Sequence, residues 1–163
     1  MTTTTFTLKS NDLGGQLAPE QYANGMGFTG QNLSPQLYWE NPPKETKTFA
    51  LTIQDLGAPT GSGFWHWVVF NIPAHINEVP SGAGDPEKSL LPENVIQSNT
   101  DMGTQGYVGA APPEGPTHRY QIIVYALNAN LQLDSSATPA FVGFNLHFAT
   151  LTKASLLVYG QKY

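Results

Sequence analysis

The chain has no cysteine. Disulfides, thiolate metal sites and cysteine nucleophiles are therefore excluded. Charge is also scarce. Asp, Glu, Lys and Arg make up 12% of the 163 residues, about half the usual share of ~25%. Arg119 is the single arginine and the net charge is −5. So few cations cannot build a basic patch, and nucleic acid is excluded as a partner. No apolar run approaches the ~20 residues of a membrane span, so no transmembrane segment is expected. Residues Met1 to Phe6 (MTTTTF) show neither the basic nor the apolar region of a secretory leader. The expected location is therefore cytoplasmic. The Glu, Lys and Ala richness of long helices and coiled coils is missing too.

Turn formers and apolar residues are plentiful. There are 16 glycines and 13 prolines, and 40% of the chain is hydrophobic. That composition predicts a globular protein of short strands and many turns. No linker, repeat or composition break divides it. The expectation is one all-β domain over residues 1–163, with a short C-terminal helix and long Gly/Pro-rich loops.

Three strands are strongly signalled. Lys47–Asp55 places Phe49, Leu51 and Ile53 on one face. Phe64–Ile72 (FWHWVVFNI) is bulky almost throughout, the pattern of a strand buried on both faces. Arg119–Leu127 is the third. Weaker strand signals lie at Phe6–Lys9, Leu37–Trp39, Val95–Asn99 and Ala154–Tyr159. One helix is predicted, with Thr138 as N-cap and Pro139 at its first position. Phe141, Phe144, Phe148 and Leu151 recur at three- and four-residue spacings, which predicts the face it buries.

Several motifs fail on context. Gly25-Met26-Gly27-Phe28-Thr29-Gly30 fits the dinucleotide fingerprint, but no buried strand precedes it and Ser34-Pro35 follows where a helix should begin. Its glycines read as a tight loop. No H-E-x-x-H zinc motif and no G-x-S-x-G nucleophile elbow occurs. What remains is a set of polar residues at the strand ends: Asp55, His66, and the pair His118-Arg119. If the strands are neighbours, Asp55, His66 and His118 converge on one rim. Two imidazoles can bind an anion, and a carboxylate can orient one of them. Each residue also has a plainer reading. His66 can be a hydrogen-bonded core residue, Asp55 can cap loop amides, and Arg119 can hold a structural ion pair. His75 and His147 read as structural or solvated.

Taken in order, these stretches resemble the phosphatidylethanolamine-binding protein family, also known through Raf kinase inhibitor protein. The likeness is greatest to its short bacterial and archaeal YbhB/YbcL branch. It is carried by Asn24-Gly25-Met26-Gly27, Asn32-Leu33-Ser34-Pro35, Thr46 to Leu51, and Asp55-Leu56-Gly57-Ala58-Pro59. It continues through Gly63 to Ala74, Gly106 to Pro113, His118-Arg119-Tyr120 and Val142 to Phe148. The resemblance implies a β-sandwich-like fold with a small anion pocket for phosphate, phosphate-ester head groups or carboxylates. It implies that Asp55, Pro59, His66, Ala111, Pro112, His118 and Tyr120 line the pocket. His66 and His118 are then hydrogen-bond donors, and Pro59, Pro112 and Trp65 are apolar walls. It makes Ala58–Pro59 a candidate for a cis peptide. Gly57 departs from the family pattern, which places a second Asp there; this removes one negative charge and puts recognition of a cationic head group in doubt.

The expected function is a non-enzymatic binding protein for a small anion or phosphate-ester head group. It needs no cofactor or metal, and relatives suggest a kinase or protease partner and a homodimer. The alternative is a hydrolase or metal-dependent enzyme using the Asp55, His66 and His118 cluster.

Overall fold

The computed structural model describes residues 4–162. Met1–Thr3, part of the stretch that lacks leader features, and Tyr163 lie outside them. The elements run β1 (Thr7–Lys9), β2 (Asn24–Gly25), β3 (Phe28–Thr29), β4 (Leu37–Glu40), β5 (Thr48–Asp55), β6 (Phe64–Pro73), β7 (Glu78–Val79), β8 (Ile96–Gln97), β9 (His118–Leu127), α1 (Pro139–Ala149) and β10 (Thr150–Gly160). They form a five-stranded sheet in the order β10-β9-β5-β6-β8, a three-stranded sheet β1-β4-β7, and the hairpin β2-β3. Adjacent strands are antiparallel throughout, and no sheet closes into a barrel.

The large sheet is covered on both faces. On one, Phe49, Leu51, Ile53, Trp67 and Ile122 meet Leu8, Leu37, Trp39 and Val79 of the small sheet. On the other, Ala50, Val68, Phe70 and Leu127 meet Val142, Leu146 and Ala149 of α1. This double covering explains why β6 reads as an unbroken apolar run rather than an alternating one.

Two irregularities in the β5–β6 pairing adjust which way side chains point. Phe49 pairs with Ile72 but Leu51 with Val69, which leaves one extra residue on β6. Asn71 absorbs it with a φ of 61°, a conformation asparagine tolerates better than most residues. Its side chain then clamps both backbone groups of Leu131. The second irregularity lies at His66 and is taken up below.

Helix α1 starts as expected. The Thr138 hydroxyl oxygen accepts from the Phe141 N–H at 3.2 Å, with Pro139 in the first turn. The face it buries is different. Pro139, Val142, Leu146 and Ala149 are buried, whereas Phe141, Phe144, Phe148 and Leu151 are 41–69% exposed. The helix is apolar nearly all round, so two stripes satisfy the same spacing. The groove over Ala50, Val68 and Phe70 takes the aliphatic one. Leu146→Ala is therefore expected to cost about 2–5 kcal/mol in urea unfolding. Phe144→Ala is expected to change stability by less than about 1 kcal/mol. Equal costs would contradict this orientation.

Candidate functional site

Antiparallel pairing brings three strand ends together. Asp55, the last residue of β5, lies between Phe64 at the start of β6 and Tyr120 near the start of β9. The site therefore sits where the doubly buried strands run out and their polar side chains reach an opening.

Asp55 is 3% exposed and both its oxygens are used. Oδ1 accepts the Gly57 N–H at 2.9 Å, and Oδ2 accepts from His118 Nδ1 at 2.7 Å. The capping and histidine-orienting readings of Asp55 hold at once. His118, 5% exposed, has its ring fixed by this bond, and Nε2 is its remaining polar atom.

His66 is placed by a β-bulge. Ile53 pairs with Trp67 and Gln54 with Trp65, so His66 is the extra residue between them. Bulges re-aim side chains next to binding sites. Here Trp65 packs against the α1 side of the sheet and Trp67 against the small-sheet side. His66 joins Trp67's side, its ring 4.8 Å from Phe64 and 5.5 Å from Tyr120. Its Nδ1–H donates to the Val108 carbonyl at 2.8 Å, and its own carbonyl accepts from the Val108 N–H at 2.8 Å. Burial depresses the imidazole pKa, against smaller upward contributions from the Val108 hydrogen bond and from Asp55 and Asp101. His66 is thus neutral at pH 7.

Tyr120 is 1% exposed. Burial and the neighbouring Asp55 carboxylate push its pKa far above the usual phenol range. It is neutral, and its hydroxyl faces the Asp55 carboxylate, whose hydrogen bonding adds to the shift.

The long loop after β8 supplies the roof. The Asn32 side chain accepts the Gly109 N–H at 2.5 Å, and the Ala23 N–H donates to Ala110 at 2.9 Å. A Cβ at Gly109 would lie 2.6 Å from Ala23 N and Asn32 Oδ1, so only glycine allows this approach. The sequence stretches Asn24–Pro35 and Gly106–Pro113 are therefore one structural unit.

Together these segments enclose a cavity of about 170 Å³. Its walls are Asp55, Ala58, Pro59 and Thr60 after β5; Phe64 and His66 of β6; Met26 of the hairpin tip; and Met102, Val108, Gly109, Ala111 and Pro113 of the loop. No lysine or arginine lines it. Larger hollows of about 470 and 610 Å³ flank Asp85 and Pro86, but neither contains a histidine or a buried charge.

Of the expected pocket residues, Asp55, Pro59, His66 and Ala111 line the cavity. His118 and Tyr120 stand behind it, joined through Asp55 and His66. Trp65 and Pro112 do not line it. The bulge turns Trp65 to the opposite face, and Phe64 takes its place as an aromatic wall. Pro112 is buried, and its neighbour Pro113 forms the wall. Every described peptide bond is trans, Ala58–Pro59 included. The turn closes in that form through the Thr60 N–H to Ala58 carbonyl bond at 2.7 Å. Arg119 is exposed, on the opposite side of β9 from His118 and Tyr120. His75 and His147 are exposed, as read from the sequence. Met26, Phe64 and Met102 were missed. Met26 sits inside the rejected glycine motif, which forms the β2–β3 hairpin, and Met102 carries no signal beyond its place in a loop.

Two central strands ending in Asp55 and His118, a bulged third strand carrying His66, and a proline-rich loop over them define a fold and pocket type. The chain belongs to the phosphatidylethanolamine-binding protein family, whose family model matches residues 7–160. Within it, the chain is 48% identical over 152 residues to the UPF0098 protein YbhB of Escherichia coli K12, covering 91% of this chain and 96% of that one. It is 40% identical over 155 residues to E. coli YbcL, covering 93% and 85% of the two chains. The crystal structure of YbcL, described as a new member of the mammalian PEBP family, superposes with a TM-score of 0.93 at 38% identity. That match covers 97% of this chain and 99% of the other. Among the described residues, no helix is long and apolar enough to cross a membrane.

Two outcomes are expected. Asp55→Ala leaves the buried His118 Nδ1–H without its acceptor and should cost about 1–3 kcal/mol in urea unfolding. A histidine held neutral by burial stabilises the fold above the unfolded imidazole pKa, and that stability drains away as pH falls through the depressed one. Stability should therefore drop below about pH 6.5. His66→Gln should flatten that drop when urea midpoints are compared between neutral and acid pH.

Proposed function

We propose that this chain is a non-enzymatic binding protein whose cavity at Asp55, His66 and His118 takes a small oxyanion. Inorganic phosphate and the head of a phosphate ester fit the reading best. The observation that carries it is the division of hydrogen bonds at the site. Both histidines spend Nδ1 on the protein, to Val108 and to Asp55, and each retains Nε2. The Tyr120 hydroxyl is buried behind the cavity and faces the Asp55 carboxylate. What the site has left for a ligand is therefore imidazole Nε2, which a partly protonated oxyanion can meet.

The volume supports the same reading. About 170 Å³ is the liquid share of roughly six waters, room for a tetrahedral anion and a short substituent. Family membership adds weight, because relatives carry the binding name. The hydrolytic alternative finds little support. Thr60 is the one hydroxyl side chain on the cavity wall among the described residues, and its Oγ1 donates to the Gly63 carbonyl. No attacking oxygen is thereby positioned beside a histidine.

Gly57 bears on which anions enter. A Cβ there would lie 3.4 Å from the His118 ring and 3.7 Å from Asp55 Oδ1. A small side chain fits, and a carboxylate would stand against the site. The test is a phosphate titration followed by the imidazole NMR signals. The His66 and His118 signals should shift in a saturable way while those of His75 and His147 stay put. His66→Ala should weaken phosphate binding at least about tenfold, the loss of one hydrogen bond to a charged group. Gly57→Asp should weaken it too, through like-charge repulsion. Unmoved His66 and His118 signals at saturating phosphate would refute the reading.

A further inference from the structure

We infer that the pocket takes its oxyanion together with one proton shared with His66, and so prefers anions that carry an O–H, such as hydrogen phosphate, over aprotic ones such as sulfate. The inference rests on the anion-binding reading above and specifies its ligand class.

The first ground is the tautomer of His66. Its Nδ1 faces the Val108 carbonyl at 2.8 Å. A carbonyl can only accept, so Nδ1 carries the hydrogen. In the neutral ring Nε2 then holds a lone pair. The resemblance alone makes His66 a donor to the anion; the Val108 bond makes neutral His66 an acceptor. A ligand oxygen without hydrogen would meet that lone pair with its own, which is repulsive.

The second ground is charge. The cavity wall contains Asp55 and no lysine or arginine. The titratable groups around His66 are Asp55 at the end of β5, His118 and Tyr120 on β9, and Asp101 in the loop after β8. The Asp101 side chain accepts the Trp65 N–H at 2.9 Å. Both carboxylates raise the cost of admitting an anion, and Tyr120 is neutral. Burial keeps His66 uncharged at neutral pH. A proton brought by the ligand, or taken up by Nε2 on binding, answers both the lone pair and the missing cation.

An oxyanion with one O–H satisfies this arrangement directly. The O–H donates to His66 Nε2 on the cavity wall, so the ligand supplies the hydrogen that the neutral ring lacks there. A phosphodiester or sulfate has no O–H and binds only after His66 is protonated. The site thereby distinguishes free phosphate and protonated monoesters from diester head groups.

Phosphate and sulfate test this on the wild-type protein by isothermal titration. At about pH 8 both are dianions of one shape, and phosphate carries one O–H more. Phosphate is expected to bind at least about tenfold more tightly there, the effect of a mismatched buried polar contact. Sulfate should gain up to about tenfold for each unit of acidification, with one proton taken up. That proton appears as a dependence of the binding heat on the buffer's ionisation enthalpy. Imidazole ¹⁵N NMR should show a lone pair on His66 Nε2 in the free protein. His66→Gln, whose amide can present an N–H, should lose the preference for phosphate. Equal affinities at about pH 8 with no proton uptake would overturn the inference and leave anion binding standing. Binding of neither anion at either pH would overturn both.

Discussion

The antiparallel pairing of β5 with β6 on one side and β9 on the other governs this molecule. These three strands are sealed between the small sheet and α1. A charge in their middle would have no water and no partner, a prohibitive cost. Polar chemistry is confined to the place where the strands run out. The pairing makes that place common to Asp55, His66 and His118, which come from segments 11 and 52 residues apart in sequence. Asp55 becomes tolerable there because Gly57 and His118 satisfy both its oxygens.

The cavity is finished by backbone adjustments rather than by further strong interactions. One bulge residue turns His66 out of the alternation that holds Trp65 and Trp67 in the two cores. The same residue fastens the long loop, because both backbone groups of Val108 bond to His66. The hairpin segment fastens the loop a second time through Asn32 and Ala23 to Gly109 and Ala110. The loop that roofs the pocket is thus held from two sides, and the His66 ring is held with it through Val108. Pre-orientation of this kind reduces the ordering cost of binding.

Much of this was legible in the residues. β5, β6 and β9 were readable to within a residue because their apolar runs are long and bounded by Gly and Pro. Their polar ends pointed to the site, and family-like motifs named Asp55, Pro59, His66 and Ala111, four of the twelve residues that line it. The short strands β2, β3 and β7 were not readable, since two residues carry no periodicity. α1 was located by its cap but not oriented. A helix apolar on every side does not say which stripe meets the sheet, and the shape of the groove over Ala50, Val68 and Phe70 settles it. Trp65 was expected as a wall from the resemblance, but the bulge at His66 leaves it on the α1 face of the sheet. Met26 and Met102 went unseen because they reach the cavity through hairpin and loop geometry.

The sequence by itself determined the class of protein: few charges, no thiols, buried strands joined by Gly/Pro-rich loops, and a carboxylate with two histidines at their ends. These are properties of residue type and order, and local physics reads them directly. The tertiary structure alone decided what each of those groups has left to offer a ligand. Whether an imidazole nitrogen is a donor or an acceptor depends on what its other nitrogen already touches. For His66 that partner is a carbonyl 42 residues away in the chain. No spacing along the sequence records that contact, because it exists only when the loop has closed over the sheet.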